Sequence, residues 1–399
     1  MNRFDSLQSW IGAHRESVID LARELIRVPS ENPPGAAYPA AVEVLVTSLE
    51  KLGLPVRRIP LGPGREAVMS AVGEGPSLYL HGHYDVVPAS VAGQFEPVVR
   101  GDRLFGRGSA DMKGALSSMV HAVAALRELG HPGRVELVLV PDEETGGQGG
   151  MARLVEAGEI DSGALGAVLG EPTSGVIWNG SRGALTGRIR LEGEAAHVGL
   201  HYQGRNAVEG AVPVLSALLE LKAEVSRHRT SLAIEPEAAR RSILMIGGEV
   251  QGRHQFNLVP DRFEFTVERR FNPEEDLADV RGRLDEVIRR HVPEGLQLSI
   301  DFFQQATSSL VPTGHPLVTA LMDVVEVVEG RRPPAALCPG LLESRFYGTL
   351  GVPAVAYGPG LLEVSHGPNE WVNVQRLLDC VGVYALLAER VAGTSLSGS

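Results

Sequence analysis

The sequence predicts an α/β fold, a mostly parallel sheet flanked by helices, with an α+β unit inserted into it. Three observations carry this. Short apolar runs bounded by Gly or Pro alternate with stretches of helical periodicity up to about Gly180. The texture then changes to one-sided strands and later returns to the first kind. The length, 399 residues, exceeds what one hydrophobic core usually supports.

Taken in order, Leu7 to Ile26 and Ala40 to Leu52 repeat apolar residues at helical spacing. Ser77 to Leu80, Val135 to Val140 and Gly166 to Leu169 are buried-strand runs, and Gly114 to Leu129, closed by Gly130, is the helix among them. Such βαβ alternation implies a mostly parallel sheet covered on both faces. After Gly180, Leu185 to Leu191 alternates, Ala207 to Val225 is helical, Ser242 to Ile246 and Phe263 to Val267 are strands, and Glu274 to His291 is helical. A strand at Leu296 to Phe303 closes this α+β unit, after which Pro316 to Val328, Val352 to Tyr357 and Val374 to Val391 restore the first texture. The expected division is a discontinuous larger domain, 1–180 with 305–399, and an inserted domain, 181–304. No repeat of solenoid length is present, and the Ser/Gly tail after Gly393 is expected to be disordered.

Composition narrows the function classes. With 43% hydrophobic and 22% charged residues the chain is neither disordered nor membrane-spanning in character. A formal charge of -12 and the lack of a basic block argue against a nucleic-acid partner, while one local arginine can still hold a small anion. Cys338 and Cys380 are the only cysteines, which excludes a disulfide framework and fits a reducing compartment. The N-terminal residues MNRFDSLQSWIGAHRES carry charges and lack the apolar core of a signal peptide, so a cytoplasmic location is expected.

Four stretches place His or carboxylate groups just past a predicted strand of the larger domain: HGHYDVVP (81–88), PDEETGG (141–147), GEPT (170–173) and GPGLLEVSHGPNE (358–370). Open α/β sheets bind ligands outside the carboxyl ends of their strands, so these loops are expected to converge on one crevice. GRGSADMKG (106–114) lies in the loop before the Gly114 helix. Imidazole with carboxylate suits Zn²⁺, and a shared carboxylate allows a metal pair about 3.5 to 4 Å apart that activates water. The candidates are His83, Asp111, Glu144, Glu171 and His366. Singly each is as well read as a solvated turn residue; their joint placement is the signal. Asp85, two residues after His83 on an extended segment, is placed to accept the imidazole's other N–H. A turn-capping aspartate is the plainer alternative. Adjacent Glu143 and Glu144 must point different ways, so one can ligate while the other takes a proton from water.

In order, HGHYDVVP, ADMKG, PDEETGG, GEPT, NGSRGALTG and SHGPNEWV span nearly the whole chain. Together they resemble the di-zinc amidohydrolase and metallopeptidase family of acetylornithine deacetylase, succinyl-diaminopimelate desuccinylase, aminoacylase and carboxypeptidase G, with the desuccinylase branch nearest in wording. The resemblance implies two Zn²⁺ per subunit, with Co²⁺ as an alternative. His83, Asp111 and Glu171 would bind one ion, and Asp111, Glu144 and His366 the other. Glu143 matches the general base, Asp85 the residue that orients the histidine, and Asp111 to Met112 a cis peptide. The inserted domain resembles a lid and dimerisation domain, in which GEAAHVG would supply His197 to the partner subunit's site as an oxyanion donor. Arg182 and Arg270 match holders of a substrate carboxylate, though a surface ion pair is an equal alternative. Asn257 and Asn206 match lid motifs and are ranked lower, since asparagine also caps and turns. His81 is expected as supporting or core, and His14, His121, His131, His228 and His291 as surface residues without acidic partners.

One stretch departs from the family: CPGLLESRF (338–346) stands where relatives carry hydroxyls and an Asp. Leu341 and Leu342 remove donors for an anionic acyl end, so an apolar acyl or amino-acid side chain is expected in place of succinyl. The resulting expectation is a metal-dependent hydrolase of N-acylated amino acids; its rivals are a dipeptidase or glutamate-carboxypeptidase-like exopeptidase and, remotely, an inactive ligand-binding relative. None of the metal or base residues is missing, which weighs against the last.

Overall fold

The computed structural model describes residues 3–234, 237–252 and 255–393; the tail expected to be disordered lies outside them. The chain divides into two units: Met1–Asn179 with Val311–Ala336 and Phe346–Ser399, and Gly180–Leu310 with Leu337–Arg345.

Helices α1 (Arg3–Ala13), α2 (Arg15–Arg27) and α3 (Tyr38–Lys51) open the first unit. The single helix expected over Leu7 to Ile26 is interrupted at His14, whose ring stacks on Trp10 at 3.8 Å and whose Nδ1 bonds the Trp10 carbonyl at 2.8 Å. Next come β1 (Arg57–Gly62) and β2 (Arg65–Val72), a hairpin that periodicity missed because its outer strand RRIPLG is charged and largely exposed. The chain continues through β3 (Glu74–His83), β4 (Val98–Arg100), β5 (Arg103–Phe105), α4 (Lys113–Glu128), β6 (Gly133–Val140), α5 (Met151–Glu156), β7 (Gly166–Leu169) and β8 (Ile177–Ser181).

The insertion comprises β9 (Gly183–Glu192), α6 (Ala207–Val225), β10 (Ile243–Gly252), β11 (Arg262–Phe271), α7 (Leu277–Arg290), β12 (Gln297–Ala306) and β13 (Ser309–Leu310). Then follow α8 (Pro316–Glu329), β14 (Ala335–Cys338), α9 (Ser344–Thr349), β15 (Ala354–Ala356), β16 (Trp371–Asn373) and α10 (Val374–Val391).

In the first unit the strands run β1-β2-β6-β3-β7-β15, with β8 beside β15. Strands β6, β3, β7 and β15 are parallel, whereas β1 and β2 are antiparallel. This is the mixed, mostly parallel sheet that the alternation predicted, and it brings four strand ends to one edge. Helix α4 is buried from Lys113 to Leu126 because it packs on β3 and β6 and against α2 and α10. Its Gly, Ala and Ser positions permit that close packing. A small sheet, β16-β5-β4, pairs Trp371 with Phe105.

In the second unit an antiparallel sheet runs β10-β11-β9-β12. One face packs Leu185, Ile189, Phe265 and Val267 against Val214, Leu218, Leu284 and Ile288 of α6 and α7. Helix α6 starts where Asn206 accepts the N–H groups of Val208 and Glu209 at 3.0 and 3.2 Å, which is the capping alternative for that residue. Residues 337–345 belong with this unit, a correction to the expected 305–399 block. The cause is main-chain pairing: the Leu337 N–H donates to the Ala233 carbonyl at 2.8 Å, and the Arg182 N–H to that of Gly340 at 3.2 Å. Both cysteines are buried, and neither is in a disulfide. Among the described residues no helix is long and apolar enough to cross a membrane.

Candidate functional site

His83 is the last residue of β3, and the loops carrying Glu143, Glu144 and Glu171 leave the neighbouring ends of β6 and β7. The parallel register sets these ends side by side: His83 lies opposite Val140, and the Gly170 N–H donates to the His81 carbonyl at 3.1 Å. Asp111 sits just before α4, joined to Met112 by a cis peptide bond.

The side chains of His83, Asp111 and Glu144 present ligand atoms within 4.8 Å of one another. His83 Nε2 lies 3.3 Å from Asp111 Oδ1, while His366 Nε2 lies 3.2 Å from Asp111 Oδ2 and 3.3 Å from Glu144 Oε2. Asp111 thus stands between two imidazoles, one on each carboxylate oxygen. Glu171 is buried at the adjoining strand end, with 5% exposure. Glu143 and Glu144 do diverge: Glu143 Oε2 is 4.0 Å from His83 Nε2, whereas the other oxygen of Glu144 accepts the Val87 N–H at 3.2 Å.

Asp85 does more than face the imidazole. His83 Nδ1 lies 3.0 Å from the Asp85 carbonyl and 3.4 Å from its Oδ1, so Nδ1 carries the proton and Nε2 is presented to Asp111. The same carboxylate accepts the N–H groups of Glu143 and Glu144 at 3.3 and 3.2 Å and Asn32 Nδ2 at 2.9 Å. Asn32 also donates to Thr145 Oγ1 at 3.0 Å.

The electrostatics suit a cation. Burial drives the Glu144 carboxyl upward, and the hydrogen bonds that His366 donates to the Asp111 and Glu144 carboxylates push its imidazole up to about 10. Asp111 Oδ1 is buried without a hydrogen bond of good geometry, although His83 Nε2 is within ion-pair distance. Convergent carboxylates that draw a proton onto imidazole, and a buried oxygen lacking a donor, are what a hard or borderline dication satisfies. The residues therefore fit such an ion.

In the second unit, Arg182 is buried, donates from Nη2 to the Arg241 carbonyl at 3.2 Å, and has no partner for Nε among the described residues. Burial lowers its pKa, the usual sign of a desolvated cation. Arg270, in contrast, carries its own counter-ion, with Nε 2.6 Å from Glu268 Oε1. His197 is exposed; its Nδ1 accepts the Gly199 N–H at 3.1 Å, which leaves Nε2 as the protonated nitrogen. Asn257 is exposed, and its carbonyl accepts the Val198 N–H at 3.0 Å, next to the His197 bridge to Leu258.

Several histidines expected at the surface are corrected. His121 and His131 are buried, and His228 has an acidic partner, Glu275, at 3.0 Å. Helical spacing identifies a helix but not how many of its faces are covered, and α4 is covered on nearly all. His14 and His291 bond carbonyls of their own helices, and His81 is the buried supporting residue expected, 3.1 Å from the Tyr347 hydroxyl. Sequence reasoning missed Asn32, Gln94, Arg107 and Glu370, which hold the loops together. Arg107 and Glu370 stand inside the motifs already singled out, four residues from Asp111 and His366 respectively.

Residues 79–390 match the family model described as peptidase family M20/M25/M40. The fold is similar to human carnosine dipeptidase 1 (TM-score 0.72, 15% identity, 98% of this chain and 99% of that one). It is similar to the metallo-carboxypeptidase Sso-CP2 from Sulfolobus solfataricus (0.77, 18%, 94% and 99%). A third likeness is to the YXEP protein of Bacillus subtilis, described as a dinuclear metal binding peptidase (0.68, 17%, 96% and 99%). At these identities the solved structures speak for the fold, while the model match spans most of the sequence, and so this chain belongs to the peptidase family M20/M25/M40, hydrolases of amide bonds.

Proposed function

We propose that this protein hydrolyses a linear amide next to a free carboxylate, in an N-acylated amino acid, with two Zn²⁺ per subunit and Co²⁺ as an alternative occupant. The observation that carries the reading is Asp111 standing between His83 and His366 with Glu144 alongside. His83, Asp111 and Glu171 would hold one ion, and Asp111, Glu144 and His366 the other. Ions there supply a lowered pKa for water and polarise a carbonyl oxygen.

The chain's own residues do the rest. Asp85 keeps the His83 proton on Nδ1, so that Nε2 is available as a ligand atom. Glu143, whose Oε2 lies 4.0 Å from His83 Nε2, takes the proton from the attacking water and returns it to the leaving amine. His197 has its N–H on Nε2, which suits an oxyanion donor reaching into the site of a second copy. Arg182, a buried guanidinium with an unmatched N–H, suits the substrate carboxylate; Arg270 is weaker in that role because Glu268 already pairs with it. Asn257 stands in the same segment as His197 and would line the substrate side. A dimer through the second unit is supported by the open edge of β10 and the apolar residues Val208, Val212 and Leu219 exposed on α6.

A dipeptidase or carboxypeptidase needs the same centre with a pocket for a second residue, and two of the similar structures carry those descriptions. The deciding test is hydrolysis of N-acetyl, N-succinyl and N-aroyl amino acids against dipeptides, with chelator-treated protein as control. Acyl amino acids turned over faster than dipeptides support the first reading; the reverse order supports the exopeptidase. Glu143→Gln should lower kcat by about 10²- to 10⁴-fold with bound zinc unchanged, and undiminished turnover contradicts the base assignment.

A further inference from the structure

Four residues after His366, Glu370 sends a buried carboxylate back to the segment that carries Asp111. Its Oε1 accepts the main-chain N–H groups of Ala110 at 2.9 Å and Asp111 at 3.0 Å, and its Oε2 accepts from Arg107 Nη1 at 2.6 Å. Arg107 is equally buried, and its Nη2 donates to the carbonyls of His366 at 3.2 Å and Pro88 at 3.4 Å. Gln94 adds a second tie. Its Nε2 donates to the carbonyls of Gly367 at 2.9 Å and Pro368 at 3.3 Å, and its own carbonyl accepts the Arg107 N–H at 2.8 Å.

This network has a geometric purpose. His366 stands at φ 62°, a left-handed backbone that a β-carbon disfavours, so the turn must be held from outside. A buried ion pair contributes little net stability compared with an apolar pair of similar volume, because both charges lose their hydration. What the guanidinium fork does supply is direction, since it reaches a carboxylate and two carbonyls from one rigid plane. Those acceptors belong to the segment of His366 and Glu370 and to the loop of Pro88, while Arg107 itself stands in the loop of Asp111.

The geometry points to Arg107 and Glu370 as positioning residues, a buried clamp that sets the separation of Asp111 and His366 and thereby the cation affinity of the site. This rests on the reading of Asp111 and His366 as metal ligands. Neither Arg107 nor Glu370 touches the reacting atoms. The clamp acts through the main chain, so its loss is felt in metal binding before it is felt in the fold.

The test strips the full-length protein with a chelator and titrates Zn²⁺ by calorimetry, alongside melting of each metal-free protein. Wild type should take up two equivalents per chain. Arg107→Lys keeps a positive charge for Glu370 but lacks the planar fork, and Glu370→Gln keeps an acceptor for Ala110 and Asp111 but leaves Arg107 without its counter-charge. Each is expected to weaken binding by about 10- to 100-fold. Gln94→Ala removes no interior charge and should weaken it in the same direction by a smaller factor. Trp10→Phe, which loses the bond from Nε1 to Glu128 at 2.7 Å, should lower the melting temperature and leave the affinity alone. Unchanged affinity in Gln94→Ala and in whichever charge variant folds would overturn the clamp, as would an equal loss in Trp10→Phe. A wild-type protein that takes up no Zn²⁺ would instead sink the ligand assignment, because the variants would have no affinity to lose.

Discussion

Asp85 shows how one side chain can tie a histidine and two neighbouring loops together. Its carboxylate takes N–H groups from Glu143, Glu144 and Asn32 and faces His83, so it fixes one imidazole and the loop of two glutamates together. Spacing in the sequence revealed the histidine partner, two residues away, but not the loop, which is 58 residues downstream. His121 teaches the converse. Its Nδ1 lies 2.8 Å from the Ser117 carbonyl, which only accepts, so the proton is there and Nε2 accepts from the Ser17 hydroxyl at 2.9 Å. Burial lowers its pKa to about 4. In the unfolded chain the ring titrates near the ordinary value of about 6.5. The unfolded state therefore binds the proton first, and stability present above pH 6.5 is lost as pH falls toward 4. The loss is at most about 3 kcal/mol. Urea unfolding of wild type and His121→Gln at pH 7 and pH 4.5 should show a steeper decline in wild type; parallel declines would remove His121 as the cause.

Among elements, the register of parallel strands does most to assemble the site. Strand β15 is only Ala354–Ala356, yet its exit carries the loop that ends in His366, and it runs parallel to β7. Gly358 permits that approach. A β-carbon there would stand 2.3 Å from the Gly170 carbonyl oxygen and 2.5 Å from that of Glu171, both main-chain atoms with little freedom to yield. Gly358→Ala should therefore separate the Glu171 and His366 loops, costing about 1 to 3 kcal/mol in stability and most of the bound zinc. Zinc per chain after dialysis measures this, with Gly348→Ala, where a β-carbon meets nothing within 4 Å, as the neutral control. The helices were legible because their faces and ends are local matters: α6 and α10 occupy the expected Ala207 to Val225 and Val374 to Val391, each begun by a capping asparagine. The hairpin of β1 and β2 was not, since an exposed edge strand rich in arginine carries no apolar alternation.

At the scale of the whole molecule, the proposed association rests on the second unit. Helix α6 leaves Val212 and Leu219 exposed by 57% and 59%, and among the described residues β10 ends its sheet without a partner strand on its outer side. Apolar side chains beside an open strand edge are favourable to cover with a second copy. Val212→Glu with Leu219→Glu should turn a dimer into a monomer in light scattering, and reduce turnover if His197 serves the neighbouring subunit; a wild-type monomer with full activity would contradict both. By itself the sequence determined the alternation of strand and helix and the residue types able to bind a dication, because periodicity and side-chain chemistry are local properties. Only the tertiary structure decided that Asp111 lies between His83 and His366, that residues 337–345 join the second unit, and that Arg107 and Glu370 lock the loops. Those relations depend on strand register and on buried partners hundreds of residues apart, and no local pattern encodes them.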